Sequence, residues 1–376
     1  MKILINGLAA RKGGGQTYLQ NILPRLAQYN GVELSVVLYR QFLTTYDLSA
    51  VCPVIIPLKP GHILARSLWE KVKLPRLIDK EGYDIYFAPN GLLGGAIPIS
   101  CKSVVAFRNM LPFSFQALRR YGNLVHYLRF TLLRFAQSNS FQKADLVVFI
   151  SEHAKRVIDH CVPLRKGKST IIYHGVNTCF KKPCSKGKIE GLESGRYVLY
   201  VSHLSPYKGQ MEVVASWKYF MDNGGDTDLK LVLAGSSDSS YGKRVKQSVQ
   251  SLGIGSSVLF LGNVPHESLP ALYQNARINI FASTCENCPN ILIEALNSGR
   301  PVFCSNFDPM PEIGADAPLY FNPYKTEELT GLLSRYIDDD AYLSMLGDRA
   351  RDRGAYFSWD RTAAHLYREF TQLQPN

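Results

Sequence analysis

Long hydrophobic runs are absent from the sequence. Nowhere among its 376 residues do apolar side chains run on for the roughly 18 positions that a helix needs to span a bilayer. The apolar run that opens the chain breaks at Asn6 and Gly7 without a cleavage-site pattern, which indicates a first β-strand rather than a signal peptide. We therefore expect a cytoplasmic protein, in which any membrane contact is peripheral and lies at the inner face of the cell membrane.

Cysteine is scarce. Eight residues in a chain of this length are too few for a disulfide framework, which excludes the small disulfide-stapled scaffolds and indicates reduced thiols. Cys285 and Cys288 form a Cys-x-x-Cys pair at a predicted strand-to-helix junction, where a redox dithiol or half of a zinc site is the alternative to plain packing. No second Cys or His pair at ligand spacing accompanies them, which favours packing.

Acidic residues are sparse in one half of the chain. Residues 1–190 hold 27 Lys and Arg against 10 Asp and Glu, whereas residues 191–376 hold 16 against 21. The net charge of +12 therefore belongs to the first half. Such asymmetry is typical of a domain that meets an anionic surface, either nucleic acid or acidic lipid, and a solvated basic face is the alternative. No nucleic-acid-binding module is recognisable, so we expect no nucleic-acid partner.

Short apolar runs rich in β-branched residues alternate with stretches of helical period, which is typical of parallel sheets covered on both faces. In the first half the predicted strands are 2–6, 33–39, 83–88, 103–107, 146–150 and 169–173. After an interval of low hydrophobicity, the second half adds 196–201, 229–235, 257–262, 278–283 and 301–305. The pattern predicts an α/β fold made of two doubly wound, Rossmann-like domains.

The interval between the two sets of strands gives the predicted domain limits. We place an amino-terminal domain at 1–180, a linker at 181–196 and a carboxyl-terminal domain at 197–355. Residues 356–376 form a final helix. Doubly wound sheets bind ligands at the carboxyl ends of their strands, so the turns that follow strands are where functional residues are expected.

The turn after strand 278–283 holds the strongest candidate site. Glu286 lies in that turn, Pro289 suits the first position of the following helix, and Glu294 lies about one turn further along. Two carboxylates beside the anion-attracting end of a helix suit a nucleotide-sugar, because its hydroxyls can engage the carboxylates while its diphosphate meets backbone N–H groups. Helix capping with a solvated glutamate is the alternative.

Two further turns carry residues that suit a phosphate group. In the loop after strand 196–201, Lys208 opens a helix and His203 precedes it by five residues, so both can neutralise a departing diphosphate. The first turn of the chain contains Gly13, Gly14 and Gly15, which allow the backbone to approach a phosphate closely. Solvated side chains in the one turn and a flexible loop in the other are the alternatives.

Several motifs together resemble a known family. They are KGGGQTY at the amino end, ISEHAKR at 150–156, IIYHGVN at 171–177, SHLSPYKG after strand 196–201, FLGNVPHESLPALYQNA at 260–276, and the Glu-x7-Glu segment. With these motifs the chain resembles the retaining, nucleotide-sugar-dependent glycosyltransferases of family four, and in particular those that build bacterial surface polysaccharides. The resemblance implies the GT-B fold, in which two Rossmann-like domains face a cleft and the last helix crosses back onto the first domain.

The resemblance also implies roles for particular residues. Lys208, together with His203, would neutralise the diphosphate, while Glu286 would bind the donor sugar and Glu294 the ribose hydroxyls. The other donor-binding residues it implies are Gly14, Gly15, Ser202, Asn287, Cys288, Pro289, Asn290 and, facing the base, Asn263 and Val264.

Two positions depart from the pattern of the family. Its members usually pair the lysine with an arginine, where this chain has His203, and a neutral histidine would stabilise the leaving group less. Many members also place a histidine after the strand that corresponds to 103–107, where this chain has Arg108 and Asn109. We expect Arg108 and Asn109 on the acceptor side.

A metal-binding motif is missing from the place where it is expected. Metal-dependent enzymes of the alternative fold use Asp-x-Asp at the carboxyl end of a strand, whereas Asp226 and Asp228 precede strand 229–235. We interpret this pair as a solvated turn and expect neither a metal nor a cofactor.

Residues 113–141 combine helical spacing with basic charge. The apolar positions are Leu118, Leu124 or Val125, Leu128, Leu132 and Phe135, and the basic ones are Arg119, Arg120, Arg129 and Arg134. This pattern suits a helix that docks on anionic lipid, and core packing beneath a solvated basic face is the alternative.

These features predict a metal-independent hexosyltransferase, and the resemblance to family four implies that it retains the anomeric configuration. It would move a sugar from a nucleotide diphospho-sugar to a hydroxyl of a saccharide, and a lipid-linked saccharide of polysaccharide, O-antigen or capsule assembly suits the acceptor role. Two alternatives stay open. A nucleotide-sugar epimerase on the same fold would form product without an acceptor, and a catalytically silent nucleotide-sugar-binding protein would explain the departures at His203 and Arg108.

Overall fold

The computed structural model describes residues 1–11, 13–120, 124–164, 167–183 and 191–374. Residues 184–190 of the predicted linker lie outside the described residues, and so do residues 121–123 of the segment 113–141. The same holds for Lys12, the first residue of the KGGGQTY motif.

Strands and helices alternate through the first half of the chain. The strands are β1 (Lys2–Asn6), β2 (Glu33–Tyr39), β3 (Cys52–Ile56), β4 (Ile85–Ala88), β5 (Lys102–Phe107), β6 (Leu146–Phe149) and β7 (Ser169–Ile171). The helices are α1 (Gly14–Leu26), α2 (Ile63–Glu81), α3 (Phe115–Arg119), α4 (Leu124–Lys143) and α5 (Glu152–Cys161). Short 3-10 helices cover Arg40–Thr45, Leu111–Phe113 and Thr178–Phe180.

The second half continues the alternation. Its strands are β8 (Tyr197–Val201), β9 (Lys230–Ala234), β10 (Val258–Gly262), β11 (Ile278–Phe281), β12 (Val302–Ser305) and β13 (Leu319–Phe321). Its helices are α6 (Gln210–Asp222), α7 (Ser240–Ser251), α8 (Leu269–Asn275), α9 (Asn290–Asn297), α10 (Met310–Gly314), α11 (Thr326–Tyr336), α12 (Asp340–Ala355) and α13 (Trp359–Leu373). Short 3-10 helices cover Pro206–Lys208 and His266–Ser268.

The strands form two sheets in which neighbouring strands run parallel. The first sheet has the order β3-β2-β1-β4-β5-β6-β7, and the second has the order β10-β9-β8-β11-β12-β13. In each sheet the chain builds outward in one direction from its first strand and then in the other, so β1 lies between β2 and β4, and β8 between β9 and β11. The α/β fold of two doubly wound sheets that the sequence predicts is confirmed.

The sequence pattern missed β3 and β13, which are edge strands. Only one of the five residues of β3 is buried, and Pro53 lies within it, as is usual at an edge. β13 has three residues, of which one is buried. A parallel strand is recognisable from its sequence when both of its faces are buried, and an edge strand loses that signal.

By their contacts, the described residues divide into two compact units. The first unit takes its residues from 1–113, 124–175 and 358–376, and the second takes its residues from 114–123 and 176–357. The domain limits drawn from the sequence stay a prediction, and no sequence pattern indicated that the segment after Phe113 belongs to the second unit.

Helix α13 completes the core of the first unit. Its Trp359, Leu366 and Phe370 are buried in one cluster with sheet residues such as Ile3 and Phe87. No helix within the described ranges is long and apolar enough to cross a membrane.

Residues 113–141 do not form the single helix that the sequence predicts. The short α3 and the long α4 replace it, and Leu118 of α3 is buried in the second unit. The remaining predicted apolar positions are between 55% and 71% exposed, namely Leu124, Val125, Leu128, Leu132 and Phe135. The core-packing alternative is therefore wrong for the stripe on α4.

Candidate functional site

Lys208 and Glu286 meet at the carboxyl edge of the second sheet. Because β8 and β11 are adjacent and parallel, the loops that follow them lie side by side. Lys208 ends the 3-10 helix after β8, Glu286 lies between β11 and α9, and the Nζ atom of Lys208 is 2.5 Å from Oε1 of Glu286. The two side chains are only 5% and 14% exposed, so the ion pair is largely removed from water.

Close backbone contacts fix these two loops against each other. The N–H and the hydroxyl of Thr284 both donate to the carbonyl oxygen of Tyr207, at 2.8 and 3.1 Å. Gly209, which precedes α6, has a φ of +73°, and a Cβ there would lie 2.5 Å from the carbonyl oxygen of Ala282. Only glycine fits at this position, because it tolerates the left-handed conformation and leaves room for the neighbouring chain.

Glu286 keeps one carboxylate oxygen available for a ligand. The Ser283 hydroxyl donates at 2.6 Å to the same Oε1 atom that Lys208 contacts. No residue in the described part of the chain donates a hydrogen bond to Oε2. The rings of Tyr207 and Phe281 lie 5.3 and 5.5 Å from the Lys208 ammonium and add cation–π attraction. The site thus presents a fixed cation beside a carboxylate oxygen that faces outward.

Glu294 lies one turn into α9. Its Oε2 atom accepts a hydrogen bond from the Tyr273 hydroxyl at 3.3 Å, and its Oε1 atom accepts none from the described residues. Burial raises the pKa of Glu294 to about 8, although the bond from Tyr273 opposes that shift. Burial therefore favours the protonated form of this carboxyl group. The Glu-x7-Glu spacing brings both carboxyl groups to the beginning of α9.

Ser202 and His203 lie in the loop after β8. Ser202 is buried, and its hydroxyl donates to the carbonyl oxygen of His203 at 3.1 Å. His203 is exposed, and the Nε2 atom of its ring lies 3.4 Å from the Tyr207 hydroxyl. Partial loss of hydration and then the Lys208 ammonium lower the pKa of His203 below its usual value, and the Glu286 carboxylate offsets part of this. These effects together favour the neutral form of the ring.

Apart from Gly14 and Gly15, which lie in the first unit, the other donor-side predictions lie at the same edge of the second sheet. Asn287, Cys288 and Pro289 lie in the turn before α9, and Asn290 is the first residue of that helix. Asn263 and Val264 directly follow β10. Helix α9 begins at Asn290 and Pro289 caps it, so the predicted start at Pro289 is one residue early. The N–H of Gly235, after β9, donates to the carbonyl oxygen of Gly262 at 2.7 Å, which joins the loop after β9 to the end of β10.

The cysteine pair and the aspartate pair do not form ligand sets. Cys285 and Cys288 are both buried, and burial raises the pKa of the Cys285 thiol to about 12, so it is not a thiolate at neutral pH. Asp226 and Asp228 precede β9 and form ion pairs with Arg196 at 3.1 and 3.3 Å. Within the described ranges, no three His, Cys, Asp or Glu side chains are grouped so that they could hold a metal ion.

In the first unit, the glycine turn meets the predicted acceptor-side residues. The guanidinium of Arg108, which follows β5, donates from Nη2 to the carbonyl oxygen of Gly14 at 2.5 Å and lies 4.3 Å from the ring centre of Tyr18. Gly15 is the second residue of α1. The Asn109 side chain accepts the N–H of the residue two positions further on, at 3.2 Å. The glycine turn and Arg108, which lie far apart in the sequence, are thus in contact.

Sequence reasoning missed the aromatic residues beside this cluster. Tyr18 lies against His174 and Trp359, with ring centres 5.4 and 5.8 Å apart, and all three side chains are buried. Tyr18 belongs to KGGGQTY and His174 to IIYHGVN, so the motifs contained the signal. Tyr273, which binds Glu294, likewise lies in the motif 260–276, whereas Ser283, which binds Glu286, was not singled out by the sequence.

Arg120 is not available to a membrane, contrary to the sequence-based expectation. Its guanidinium forms an ion pair with Glu212 at the start of α6, and its Nη1 atom donates to the Tyr324 hydroxyl at 3.2 Å. Arg119, the last residue of α3, also belongs to the second unit and lies over the ring of Phe115. Residues 114–120 are therefore part of the second unit and pack against it.

Two family descriptions match the chain. Glycosyltransferase Family 4 matches residues 12–180, and Glycosyl transferases group 1 matches residues 185–353. The first range contains the cluster of Gly14 and Arg108, and the second contains Lys208, Glu286 and Glu294.

The chain is also similar to individual proteins. O-antigen chain mannosyltransferase B of Escherichia coli is 32% identical over 116 residues, which are 31% of this chain and 30% of that protein. The chain thus aligns with less than a third of that relative's length. Among solved structures, sucrose-phosphate synthase of Thermosynechococcus elongatus has a TM-score of 0.79 at 19% identity and covers 99% of both chains. Anabaena HepE in complex with UDP-glucose has a TM-score of 0.76 at 18% identity, over 99% of this chain and 100% of that chain.

Proposed function

The chain belongs to the family 4 glycosyltransferases, and from this we propose that it transfers a sugar from a nucleotide diphospho-sugar to a hydroxyl of a saccharide acceptor. The observation that carries the proposal is the desolvated pair of Lys208 and Glu286 at the carboxyl edge of the second sheet. Transfer from a diphospho-sugar needs a fixed cation that stabilises the diphosphate and, beside it, an oxygen atom that accepts a hydrogen bond from a sugar hydroxyl. This edge of the sheet supplies both. Anabaena HepE, which shares the fold, was solved with UDP-glucose, and this supports the ligand class.

Each charged group of the second unit suits one part of such a donor. The Lys208 ammonium has three N–H donors, of which one serves Glu286, so the others can meet the diphosphate. The Oε2 atom of Glu286 can accept a sugar hydroxyl, and Glu294 can bind the ribose hydroxyls. The amino-terminal end of α9 adds its positive partial charge beside the phosphates, and Asn263 with Val264 would contact the base.

The cluster in the first unit suits a substrate group that carries a phosphate or hydroxyls. Arg108 supplies a cation that the carbonyl oxygen of Gly14 and the face of Tyr18 hold in place. Asn109 lies next to it in the chain. We propose that Arg108 and Asn109 bind the acceptor. Gly14 and Gly15 would bind a phosphate or a hydroxyl group at the glycine turn.

We further propose that the transfer proceeds with retention and without a metal or a cofactor. Retention rests on the resemblance to family four. Metal independence rests on charge, because the Lys208 ammonium and the end of α9 can stabilise the leaving diphosphate. A neutral His203 adds a hydrogen bond there and no full charge.

The acceptor we propose is a saccharide of polysaccharide or O-antigen assembly. The similarity to O-antigen chain mannosyltransferase B supports this class. A lipid-linked acceptor of that kind lies at the inner face of the cell membrane, where we therefore expect the protein to work as a cytoplasmic, peripheral enzyme.

The proposal is tested with a panel of UDP-, GDP- and dTDP-sugars. A donor at 100 times its Kd stabilises the folded protein by about 2.7 kcal/mol, which a thermal shift detects. The stabilising donor is then incubated with saccharide acceptors, and NMR of the product gives the anomeric configuration. We expect transfer with retention that is lost in Glu286→Gln. Product formed without an acceptor would indicate an epimerase, binding without turnover would indicate a silent binding protein, and no shift with any sugar nucleotide would overturn the proposal.

A further inference from the structure

Helix α2 carries an apolar stripe that the fold leaves uncovered. Leu64, Leu68 and Val72 recur every fourth residue and are 87%, 64% and 39% exposed. Ile63 beside them is exposed as well. The stripe on α4 is longer, and none of the first 13 residues of that helix is buried. The α2/α4 surface is formed by Ile63, Leu64, Leu68, Val72, Leu124, Val125, Leu128, Leu132 and Phe135.

Both helices cover the same face of the first sheet. The crossovers from β3 to β4 and from β5 to β6 run in one direction across the sheet, and right-handed crossovers of one direction place their helices on one face. The loop between β4 and β5 packs against both helices. A Cβ on Gly95 would lie 2.5 Å from the carbonyl oxygen of Glu70 in α2, and the N–H of Leu93 donates to Ser140 in α4 at 3.3 Å.

The charge that flanks the stripes is positive. Helix α4 contains no Asp or Glu in its 20 residues, and its Arg129 and Arg134 are exposed. On α2, Lys71 and Lys73 are exposed beside the stripe. The carboxylate nearest to them in sequence, Glu70, is buried and is bound by Arg66 and Asn6 at 3.0 and 2.9 Å, so it does not offset this charge at the surface.

We propose that the α2/α4 surface docks on an anionic lipid bilayer. Exposed apolar side chains at helical spacing with basic flanks are the pattern of helices that lie in the boundary of a bilayer, where the apolar residues enter the acyl region and the cations meet lipid phosphates. The positive charge favours an anionic bilayer over a second copy of the chain, because two copies that met through this surface would bring their basic helices together, and these would repel each other. The inference adds α2 to the segment that the sequence indicated and removes Arg119 and Arg120 from it. It does not depend on the transfer chemistry.

Sedimentation with vesicles tests the proposal. The full chain is mixed with vesicles of phosphatidylcholine alone and of phosphatidylcholine with phosphatidylglycerol. We expect binding to the anionic vesicles only, with release as salt shortens the Debye length from about 10 Å at 0.1 M to about 3 Å at 1 M. Leu64→Ser with Leu68→Ser, and separately Arg129→Gln with Arg134→Gln, should each lower the partition coefficient about tenfold.

The controls separate docking from folding and from the donor site. The substituted residues are exposed, so the variants should unfold at the wild-type temperature. Met345→Ser and Lys243→Gln change exposed residues of the second unit and should bind vesicles like the wild type. Glu286→Gln should also bind normally, and the surface variants should keep transfer to a short soluble acceptor.

Three results would overturn the proposal. One is equal binding to neutral and anionic vesicles, or binding to neither. Another is unchanged binding by the α2 and arginine variants. The third is concentration-dependent dimerisation in ultracentrifugation that the leucine variants abolish while vesicles have no effect, which would make a second copy the occupant.

Discussion

Breaking the ion pair of Lys208 and Glu286 should destabilise the protein as well as inactivate it. In Lys208→Met the Glu286 carboxylate, whose side chain is 14% exposed, keeps the Ser283 hydroxyl as its one hydrogen-bond donor among the residues that the structure describes. Removing one member of a buried pair costs about 3–5 kcal/mol. We expect the lower end, about 3 kcal/mol, because Glu286 retains some hydration and the serine bond. For a unit of this size, that lowers Tm by about 6–12 °C.

The double variant distinguishes a structural role from a role in the site. Lys208→Met combined with Glu286→Gln removes both charges, so most of the lost stability should return. Activity should not return, since each group acts on the donor, and Lys208→Met, Glu286→Gln and the double variant should each lose turnover on the order of 100-fold or more. Urea unfolding followed by circular dichroism measures the first quantity and sugar transfer the second.

An exposed pair supplies the matched control. Lys218 and Asp222, one turn apart on α6, form an ion pair with side chains 30% and 53% exposed. Lys218→Met should cost less than about 1 kcal/mol, as exposed pairs do. If Lys208→Met costs no more than this control, the pair is not desolvated as argued. If the double variant recovers turnover, the assignment of both residues to the donor site is wrong.

Three further predictions concern charge at the same site. Burial raises the pKa of Glu294 from 4.5 to about 8, so the stability that this group contributes in acid is lost as pH rises through that range. Urea midpoints measured across the same pH range should show this loss for the wild type and not for Glu294→Gln. The Kd of the Glu294→Gln variant for the donor should rise about tenfold. His203→Arg should raise turnover about tenfold at pH 7 and abolish any fall in kcat as pH rises through the lowered pKa of His203; an unchanged rate and pH profile would contradict this. Turnover should persist in EDTA, and a loss that manganese or magnesium restores would refute metal independence.

The central strands and the loops of the site could be predicted from local sequence. Apolar runs identify buried parallel strands, and ligands bind where such strands end, so Lys208 and Glu286 were expected at loop positions. Their contact could not be predicted from spacing, since 78 residues separate them and it depends on β8 and β11 being neighbours in the sheet. The bond from Tyr273 to Glu294 likewise joins residues of two different elements, α8 and α9, whereas Ser283 is only three residues from Glu286 and was missed because a serine in a turn carries no distinctive pattern.

The segment 113–141 shows where periodicity misleads. Its apolar spacing is helical throughout, yet α3 belongs to the second unit because Arg120 pairs with Glu212 and Tyr324, which lie 92 and 204 residues away in the chain. Helical spacing also predicts burial in general, and whether Leu128 or Leu132 is covered depends on what else packs there. Exposure, unlike periodicity, is a property of the whole fold.

The order of the chain through its units has a consequence for synthesis on the ribosome. The first unit takes residues from 1–113, 124–175 and 358–376. At about 5–20 residues per second, the helix containing Trp359, Leu366 and Phe370 is synthesised about 18–70 s after β1. Throughout that interval the sheet face that these side chains later cover is open to water and to chaperones. The unit that begins first is thus the last to complete its core.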